Sequence, residues 1–270
     1  MSSPVKQNSE VISADVRSTI STRYKTVTRA VNSAFRNSQS ETQYSFYVGS
    51  YGRGTAINTS DIDILVELPE DEYKRHDALK GNGQSRLLQA VKEAILASYP
   101  RSDVRADGQV VKINFSDRIL FEILPAFQNL NWLGQWDGTY KYPDSNMGGN
   151  WRSTNPKTEI EAIAQKNNNS NGLLKDTCKH LRRVHDDNYS SYTLSGIVID
   201  SFVYKAMGEW RWLNEGETST SATGDYEKAL LNNFLVNKSF FCLSAPGSGD
   251  TVETSGSIFC LEKVLRFIAE

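Results

Sequence analysis

Apolar residues at helical spacing form the first regular pattern in the chain. Between residues 12 and 35 they return every three or four positions, at Val16, Ile20, Tyr24, Val27, Val31 and Phe35. This spacing lines up one apolar face, so we predict a long amphipathic helix that ends at the polar residues 38–40. The same spacing predicts a second helix over residues 86–99, which Pro100 ends.

Runs of β-prone residues predict strands over residues 46–48, 62–68, 109–115 and 118–124. A tight turn at residues 116–117 joins the last two strands. Pro69 is expected to end the strand at 62–68, and Pro125 the strand at 118–124. We predict loops for the charged residues 70–84 and for residues 128–154, which are rich in Trp, Tyr, Asn and Gly.

The pattern becomes helical after Asn155, where Pro156 occupies a favourable first helical position. The predicted helices of this part cover residues 156–167, 171–187, 193–214, 225–236 and 257–269. The chain therefore reads as an α+β protein of two domains, with a mixed α/β part over residues 1–150 and a helical part over residues 151–270.

Composition narrows the class of partner. Hydrophobic residues make up 39% and charged residues 23% of the chain, as in ordinary globular proteins. No apolar run approaches the roughly 20 residues that span a bilayer, and the N-terminus lacks an apolar signal core, so we expect a cytoplasmic protein without a membrane partner. The net charge of −2 lacks the basic surplus typical of proteins that bind long nucleic acids. Small nucleotides are the better candidate ligands.

The candidate chemistry lies in residues 47–68. Side chains alternate faces along a strand, so Asp61 and Asp63 point to one side while the apolar residues between and after them point into the core. Two carboxylates on one face repel each other, and a divalent metal ion would balance their charge. The preceding Gly49 lets the backbone approach a phosphate closely, and the Ser50 hydroxyl can donate to a phosphate oxygen.

Glu122 supplies a third candidate carboxylate. It is the only acid in the apolar strand predicted over residues 118–124, and a charge among apolar neighbours usually has a partner. If this strand lies beside residues 62–68, Glu122 meets Asp61 and Asp63. Three carboxylates suit a site in which two metal ions catalyse phosphoryl transfer.

The turn at Gly49 and Ser50, the spacing to Asp61 and Asp63, and the later acid together resemble the polymerase-β-like nucleotidyltransferase superfamily over residues 46–127. The resemblance implies a mixed sheet with flanking helices and a C-terminal helical lobe, two lobes with a central cleft. It also implies that Asp61, Asp63 and Glu122 are catalytic and hold two Mg²⁺ or Mn²⁺ ions.

Further segments are similar to the CD-NTases, bacterial relatives of animal cyclic GMP–AMP synthase and oligoadenylate synthase. These segments are residues 121–127, 142–144, 151–156 and 190–192. The resemblance implies phosphate binding by Lys179 or, one turn on, Arg182, phosphate binding by Ser191, and base stacking by Tyr192. Arg53, in the glycine-dense turn, is a candidate phosphate contact as well.

The implied activity is synthesis of a cyclic di- or oligonucleotide second messenger from NTPs such as ATP and GTP, with release of pyrophosphate, in bacterial antiphage signalling of the CBASS type. The implied partners are an effector protein that responds to the product and a regulatory protein. We expect no activation by duplex DNA, because the chain is mildly acidic and lacks a zinc-binding insertion. The family normally has Asp where this chain has Glu122. This difference leaves open a catalytically weak nucleotide-binding regulatory module. The same catalytic core would also serve a nucleotidyltransferase that modifies RNA or a protein, so this alternative stays open as well.

Overall fold

The computed structural model describes residues 4–9 and 11–270. Two compact units divide the chain. The sheet unit consists of Ile12–Gly52 and Thr59–Pro156. The helical unit consists of Lys157–Glu270, the described residues up to Val11, and the short segment Arg53–Asn58.

A seven-stranded mixed sheet forms the centre of the sheet unit as far as the structure describes it. Its strands are β1 (Ser45–Tyr47), β2 (Ile62–Glu67), β3 (Asp103–Asp107), β4 (Val110–Asn114), β5 (Leu120–Leu130), β6 (Trp136–Asp144) and β7 (Asn150–Thr154). The order is β1-β2-β5-β4-β3, and β6 and β7 continue from the far end of β5. Within the described part of the chain, β2 and β5 pair in parallel and the other strand pairs of this sheet are antiparallel.

Helices of the sheet unit are α1 (Ala14–Arg36), α3 (Glu70–Asp77) and α4 (Gly83–Leu96), and the short helix α2 (Gly49–Arg53) follows β1. The predicted apolar stripe of α1 is buried, with Ile20, Val27 and Val31 packed in one core with strand residues such as Ile64 and Phe121. The long first helix, the helix near residue 90 and the strand at 62–68 are thus confirmed.

The structure corrects two predicted loops of this unit and adds a strand that the sequence did not predict. Residues 70–84 contain α3, whose first turn is acidic and whose last turn is basic; these charges match the helix dipole and stabilise a helix that has little apolar stripe. Residues 128–154 form β6, β7 and a 3₁₀ turn at Asn146–Gly148 rather than a loop. The edge strand β3 was not predicted, since its mostly exposed residues follow no apolar alternation.

Pro125 does not end its strand. β5 pairs with β4 as far as Ile123 and with β6 from Phe127 onward. Pro125 lies between these two stretches, where its missing N–H interrupts neither ladder. The strand therefore continues from Leu120 to Leu130.

The helical unit contains α5 (Pro156–Asn169), α6 (Leu173–Asn188), α7 (Gly196–Ala206), α8 (Asp225–Asn237) and α9 (Ile258–Ala269), a 3₁₀ turn (Lys238–Phe240) and a small hairpin of β8 (Leu243–Ser244) with β9 (Thr251–Val252). These helices confirm the predicted series, except that α7 is shorter than the predicted 193–214. It ends before Gly208, which takes a left-handed φ of 55°. The core of the helical unit includes Leu174, Leu181, Phe202, Phe234 and Leu261. Over the described residues, none of the helices is both long and apolar enough to cross a bilayer.

Candidate active site

The three predicted carboxylates lie on neighbouring parts of the sheet. In the parallel pairing of β2 with β5, Asp63 stands opposite Glu122, and neighbouring strands are about 4.8 Å apart. Asp61 directly precedes β2 and is separated from Asp63 by the buried Ile62. The strand adjacency predicted from the sequence is therefore confirmed, and it places Asp63 and Glu122 at facing positions of the two strands.

The glycine turn is packed against one of these carboxylates. Gly49 begins α2 with a φ of 58°, and a Cβ atom added there would lie 1.8 Å from Asp63 Oδ2. The backbone N–H of the preceding Val48 donates to the carbonyl oxygen of Asp63 at 2.9 Å. Ser50, in the same short helix, is half-buried. Only glycine fits this close approach, so the turn packs directly against the side chain of Asp63.

Glu122 is held by a residue that the sequence analysis missed. Lys112 stands opposite it in the pairing of β4 with β5, and its Nζ lies 3.2 Å from Glu122 Oε1 and 2.9 Å from Asp107 Oδ2. The hydrogen bond with Asp107 is the largest of the interactions that raise the pKa of Lys112 above its usual value. In sequence, the only signal was a lysine at a polar position of an alternating strand.

Asp61 carries the clearest electrostatic effect at this site. Its side chain is exposed to solvent, yet the crowding of neighbouring protein atoms and the charge of Glu122 raise the pKa of Asp61, and Lys112 offsets part of the rise. Lys112 thus offsets only part of the effect that Glu122 has on Asp61.

The donor set fits a divalent cation in kind. Carboxylate oxygens are the ligands that Mg²⁺ and Mn²⁺ prefer, and the charge of Glu122 acts on Asp61, which favours a cation between carboxylates. Across residues 4–9 and 11–270, however, no three His, Cys, Asp or Glu side chains converge into a preformed metal site. The residues that could hold a metal ion are Asp61, Asp63 and Glu122, with Glu122 paired to Lys112 in this structure.

In the helical unit, the predicted Lys179 lies on α6, half-buried, one turn after Lys175. Burial first, and the charge of Lys179 second, lower the pKa of Lys175. Among the described residues neither side chain is paired with a carboxylate. Lys175 also lies over Gly54, where a Cβ atom would be 2.8 Å from its Nζ. Lys175 is thus a missed candidate for anion binding.

Arg53 and Arg182 have a different environment from the one predicted. Both are buried, and both donate to the carboxylate of Asp200, Arg53 Nε at 2.9 Å and Arg182 Nη1 at 2.7 Å. Arg53 also pairs with Glu159 at 3.1 Å. These ion pairs favour a structural role. The phosphate contacts of the two arginines stay predictions.

Ser191 and Tyr192 lie in the exposed turn between α6 and α7. The carbonyl oxygen of Tyr192 is 2.9 Å from His185 Nε2. The Tyr192 ring, 42% exposed, lies 5.3 Å from the ring of Phe259, which is 58% exposed. Lys263 Nζ is within 5.5 Å of both ring centroids. The sequence analysis did not single out Phe259, because an apolar residue in an apolar helix gives no such signal.

Comparison with known proteins adds to this geometry. Residues 6–167, more than half of the chain, match the family described as Second Messenger Oligonucleotide or Dinucleotide Synthetase domain. A probable cyclic nucleotide synthase of Bacillus cereus (strain VD146) is 26% identical over 166 residues, which are 57% of this chain and 48% of the relative. The chain thus spans about half the length of the curated relative that it matches.

Among the solved structures of similar fold, two cyclic dinucleotide synthases match most of the chain. The CdnE cyclic dinucleotide synthase of Elizabethkingia meningoseptica, solved with GTP and Apcpp, is 16% identical with a TM-score of 0.63, over 93% of this chain and 89% of that one. The STING-associated CdnE c-di-GMP synthase of Capnocytophaga granulosa is 14% identical with a TM-score of 0.66, over 93% of this chain and 80% of that one. At these identities the likeness is one of fold, and it confirms the predicted α+β nucleotidyltransferase fold.

Proposed function

Because the chain belongs to the Second Messenger Oligonucleotide or Dinucleotide Synthetase family, we propose that it is a metal-dependent nucleotidyltransferase that makes a cyclic di- or oligonucleotide from NTPs. One observation carries the proposal. Gly49 is packed so closely on Asp63 that no side chain fits between them, and Asp63 stands opposite Glu122 in the sheet. The turn that would bind phosphate therefore lies against one member of the carboxylate pair.

In the proposed reaction, a 3′- or 2′-hydroxyl oxygen of one nucleotide forms a bond to the α-phosphorus of another. The bond between the α-phosphate and the β-phosphate breaks, and pyrophosphate leaves. Bound Mg²⁺ or Mn²⁺ ions would lower the pKa of the attacking hydroxyl and balance the charge of the leaving group. Asp61 and Asp63 would hold both ions, while Glu122 would hold the ion at the attacking oxygen and assist in taking its proton.

Substrate binding is assigned to residues of both predicted domains, the catalytic core over 1–150 and the nucleotide-binding lobe over 151–270. Gly49 and Ser50 would hold phosphate through the backbone and the hydroxyl. Lys179 and Ser191 would hold further phosphate oxygens, and Tyr192 would stack on a base. Arg53 and Arg182 are secondary candidates, since Asp200 already engages both.

The proposed setting is the bacterial cytoplasm, where the product of an antiphage system of the CBASS type would act on a nucleotide-responsive effector. A regulatory protein would control the enzyme. One observation favours a weaker alternative, a nucleotide-binding module of low activity. The ammonium of Lys112 already forms an ion pair with Glu122, so metal binding at this carboxylate must compete with that ion pair.

Incubation with labelled ATP, GTP, CTP and UTP and with Mg²⁺ or Mn²⁺, followed by phosphatase treatment, tests the proposal. A phosphatase-resistant small product, absent from the Asp63→Asn variant, supports it. Label transferred to added RNA or to protein would support the macromolecule-modifying alternative instead. Nucleotide binding without release of pyrophosphate would identify the low-activity module.

A further inference from the structure

Asp200 is the most deeply buried charged residue of the helical unit that the described residues show, with no exposed surface. It lies in the middle of α7. Its Oδ2 accepts hydrogen bonds from Arg53 Nε and from Thr55 Oγ1, both at 2.9 Å. Its Oδ1 accepts from Arg182 Nη1 at 2.7 Å. The carboxylate therefore joins α7 to α6 and to the segment Arg53–Asn58.

The cluster around Asp200 is balanced in charge. Arg53 and Arg182 face Asp200, and the second acid Glu159 pairs with Arg53 at 3.1 Å. Arg182 also donates to the carbonyl oxygen of Gly196 at 2.9 Å. Burial alone would raise the pKa of Asp200, but the charges of Arg182 and Arg53 hold it below its usual value. The carboxylate is ionised when these groups are in place.

Stability alone gives little reason for such a cluster. Replacing a buried ion pair by well-packed apolar residues is often neutral or stabilising, so buried pairs are weak evidence of a stabilising role. What the cluster does supply is a fixed geometry, because a guanidinium group and a hydroxyl donate in set directions to one carboxylate. The question is therefore which part of the chain this geometry fixes.

The donors Arg53 and Thr55 come from the end of α2 and the residues after it. Arg53 is the last residue of α2 and Gly49 is the first, so about 6 Å of helix axis separates them. Between these two donors, Gly54 has a φ of 74°, and a Cβ atom there would be 2.8 Å from Lys175 Nζ. Arg53 and Thr55 are thus held by Asp200 directly after the turn that begins at Gly49, and Lys175 lies close to Gly54 between them.

We propose that Asp200 is a positioning residue for the reaction, since it anchors the end of α2 and thereby fixes the direction of the phosphate-binding turn at Gly49 and Ser50. Its role in binding NTP rests on the proposed function. Its role in ordering α2 does not, because the hydrogen bonds from Arg53 and Thr55 to Asp200 are contacts within the protein itself. Asp200 itself need not touch the substrate.

The test compares the variants Thr55→Val, Thr55→Ser and Asp200→Asn with the wild-type protein. Thr55→Val removes one donor to Asp200 but keeps the side-chain shape and every charge, and Thr55→Ser keeps the hydroxyl. Glu217→Gln is the matched control, because it breaks a surface ion pair of the same unit, between Arg211 Nη1 and Glu217 Oε2 at 2.8 Å. Hydrogen exchange of residues 49–58 is measured without nucleotide, and kcat and KM for NTPs with metal.

We expect faster exchange over residues 49–53 in Thr55→Val and Asp200→Asn, and wild-type exchange in Thr55→Ser and Glu217→Gln. KM for the NTP should rise about tenfold in Thr55→Val, which corresponds to ~1.4 kcal/mol, with a smaller change in kcat, and Thr55→Ser should restore it. Unchanged exchange over residues 49–53 in Thr55→Val would overturn the proposal. If Asp200→Asn fails to fold, Thr55→Val decides alone.

Failure of the proposed function has a different outcome. A wild-type protein that makes no product but whose residues 49–53 lose protection in Thr55→Val would keep Asp200 as the anchor of α2 and reject the assigned reaction. A wild-type protein that is active while all Thr55 variants keep its KM and its exchange rates would keep the reaction and reject the anchor.

Discussion

Substitution of Gly49 by alanine tests the close packing of the turn on Asp63 most directly. Gly49 has a φ of 58°, and the added Cβ atom would lie 1.8 Å from Asp63 Oδ2. Real Cβ contacts essentially never fall below 3.0 Å, so the carboxylate oxygen must retreat by about 1.2 Å or the turn must move. The left-handed backbone conformation itself costs roughly 1–2 kcal/mol for a residue with a Cβ atom.

These two effects have separable results. The backbone cost should lower the melting temperature by roughly 2–8 °C. The displaced carboxylate should lower catalysis more, because a misplacement of about 1 Å can cost on the order of 100-fold in rate. We therefore expect Gly49→Ala to fold and to lose about 100-fold in kcat, measured by release of pyrophosphate at saturating NTP and metal.

Gly208→Ala is the control for this prediction. Its φ of 55° is close to that of Gly49, but no heavy atom outside its immediate neighbours lies within 4 Å of the added Cβ position. It should show a similar fall in melting temperature without the loss of activity. Equal activity of the two variants, each corrected for its folded fraction, would refute the close packing of Gly49 on Asp63 as a functional constraint.

Three further variants test other parts of the site. Glu122→Gln keeps the size of the side chain but removes its charge, and pyrophosphate release should fall about 100-fold if Glu122 assists deprotonation; activity near that of the wild type would exclude this role. Lys175→Met should weaken binding of a non-hydrolysable NTP about tenfold. Burial lowers the pKa of Lys175 below its usual value of 10.5, so the ammonium form destabilises the folded state at neutral pH. Lys175→Met should therefore be more stable than the wild type at neutral pH. Urea unfolding should show that this difference in stability shrinks as the pH rises towards 10.5. Tyr192→Ala should raise KM about tenfold through lost base stacking while Tyr192→Phe keeps it; equal KM values for the two variants would remove Tyr192 from the base site.

The carboxylates could be predicted from the sequence because local rules fix them. Alternation along a strand separates Asp61 and Asp63 from the buried Ile62, and an acid in an apolar strand stands out. The pairing of β2 with β5 then followed from the need to give Glu122 a partner. Lys112 could not be predicted in the same way, since its contact with Glu122 depends on the register between β4 and β5.

The environments of the arginines were beyond local rules as well. Arg53 meets Asp200 across 147 positions of sequence, and nothing near either residue marks the pairing. A basic residue beside a glycine-rich turn reads as a phosphate contact until a buried acid is found for it.

For the helix α3, which the sequence did not predict, the reason differs. Its stability depends on charges that match the helix dipole, whereas hydrophobic periodicity indicates only helices that have an apolar face.

Because it includes the segment Arg53–Asn58, the helical unit is built from stretches that are separated in the sequence. A fragment that stops at Pro156 would retain Arg53 and Thr55 and lack Asp200, so it would expose a guanidinium whose buried counter-ion is missing. We therefore expect that a single recombination point near residue 156 cannot replace the helical part of one family member by that of another. Relatives that change the acid at position 200 should change positions 53 and 182 with it, so the three positions should co-vary as one inherited unit.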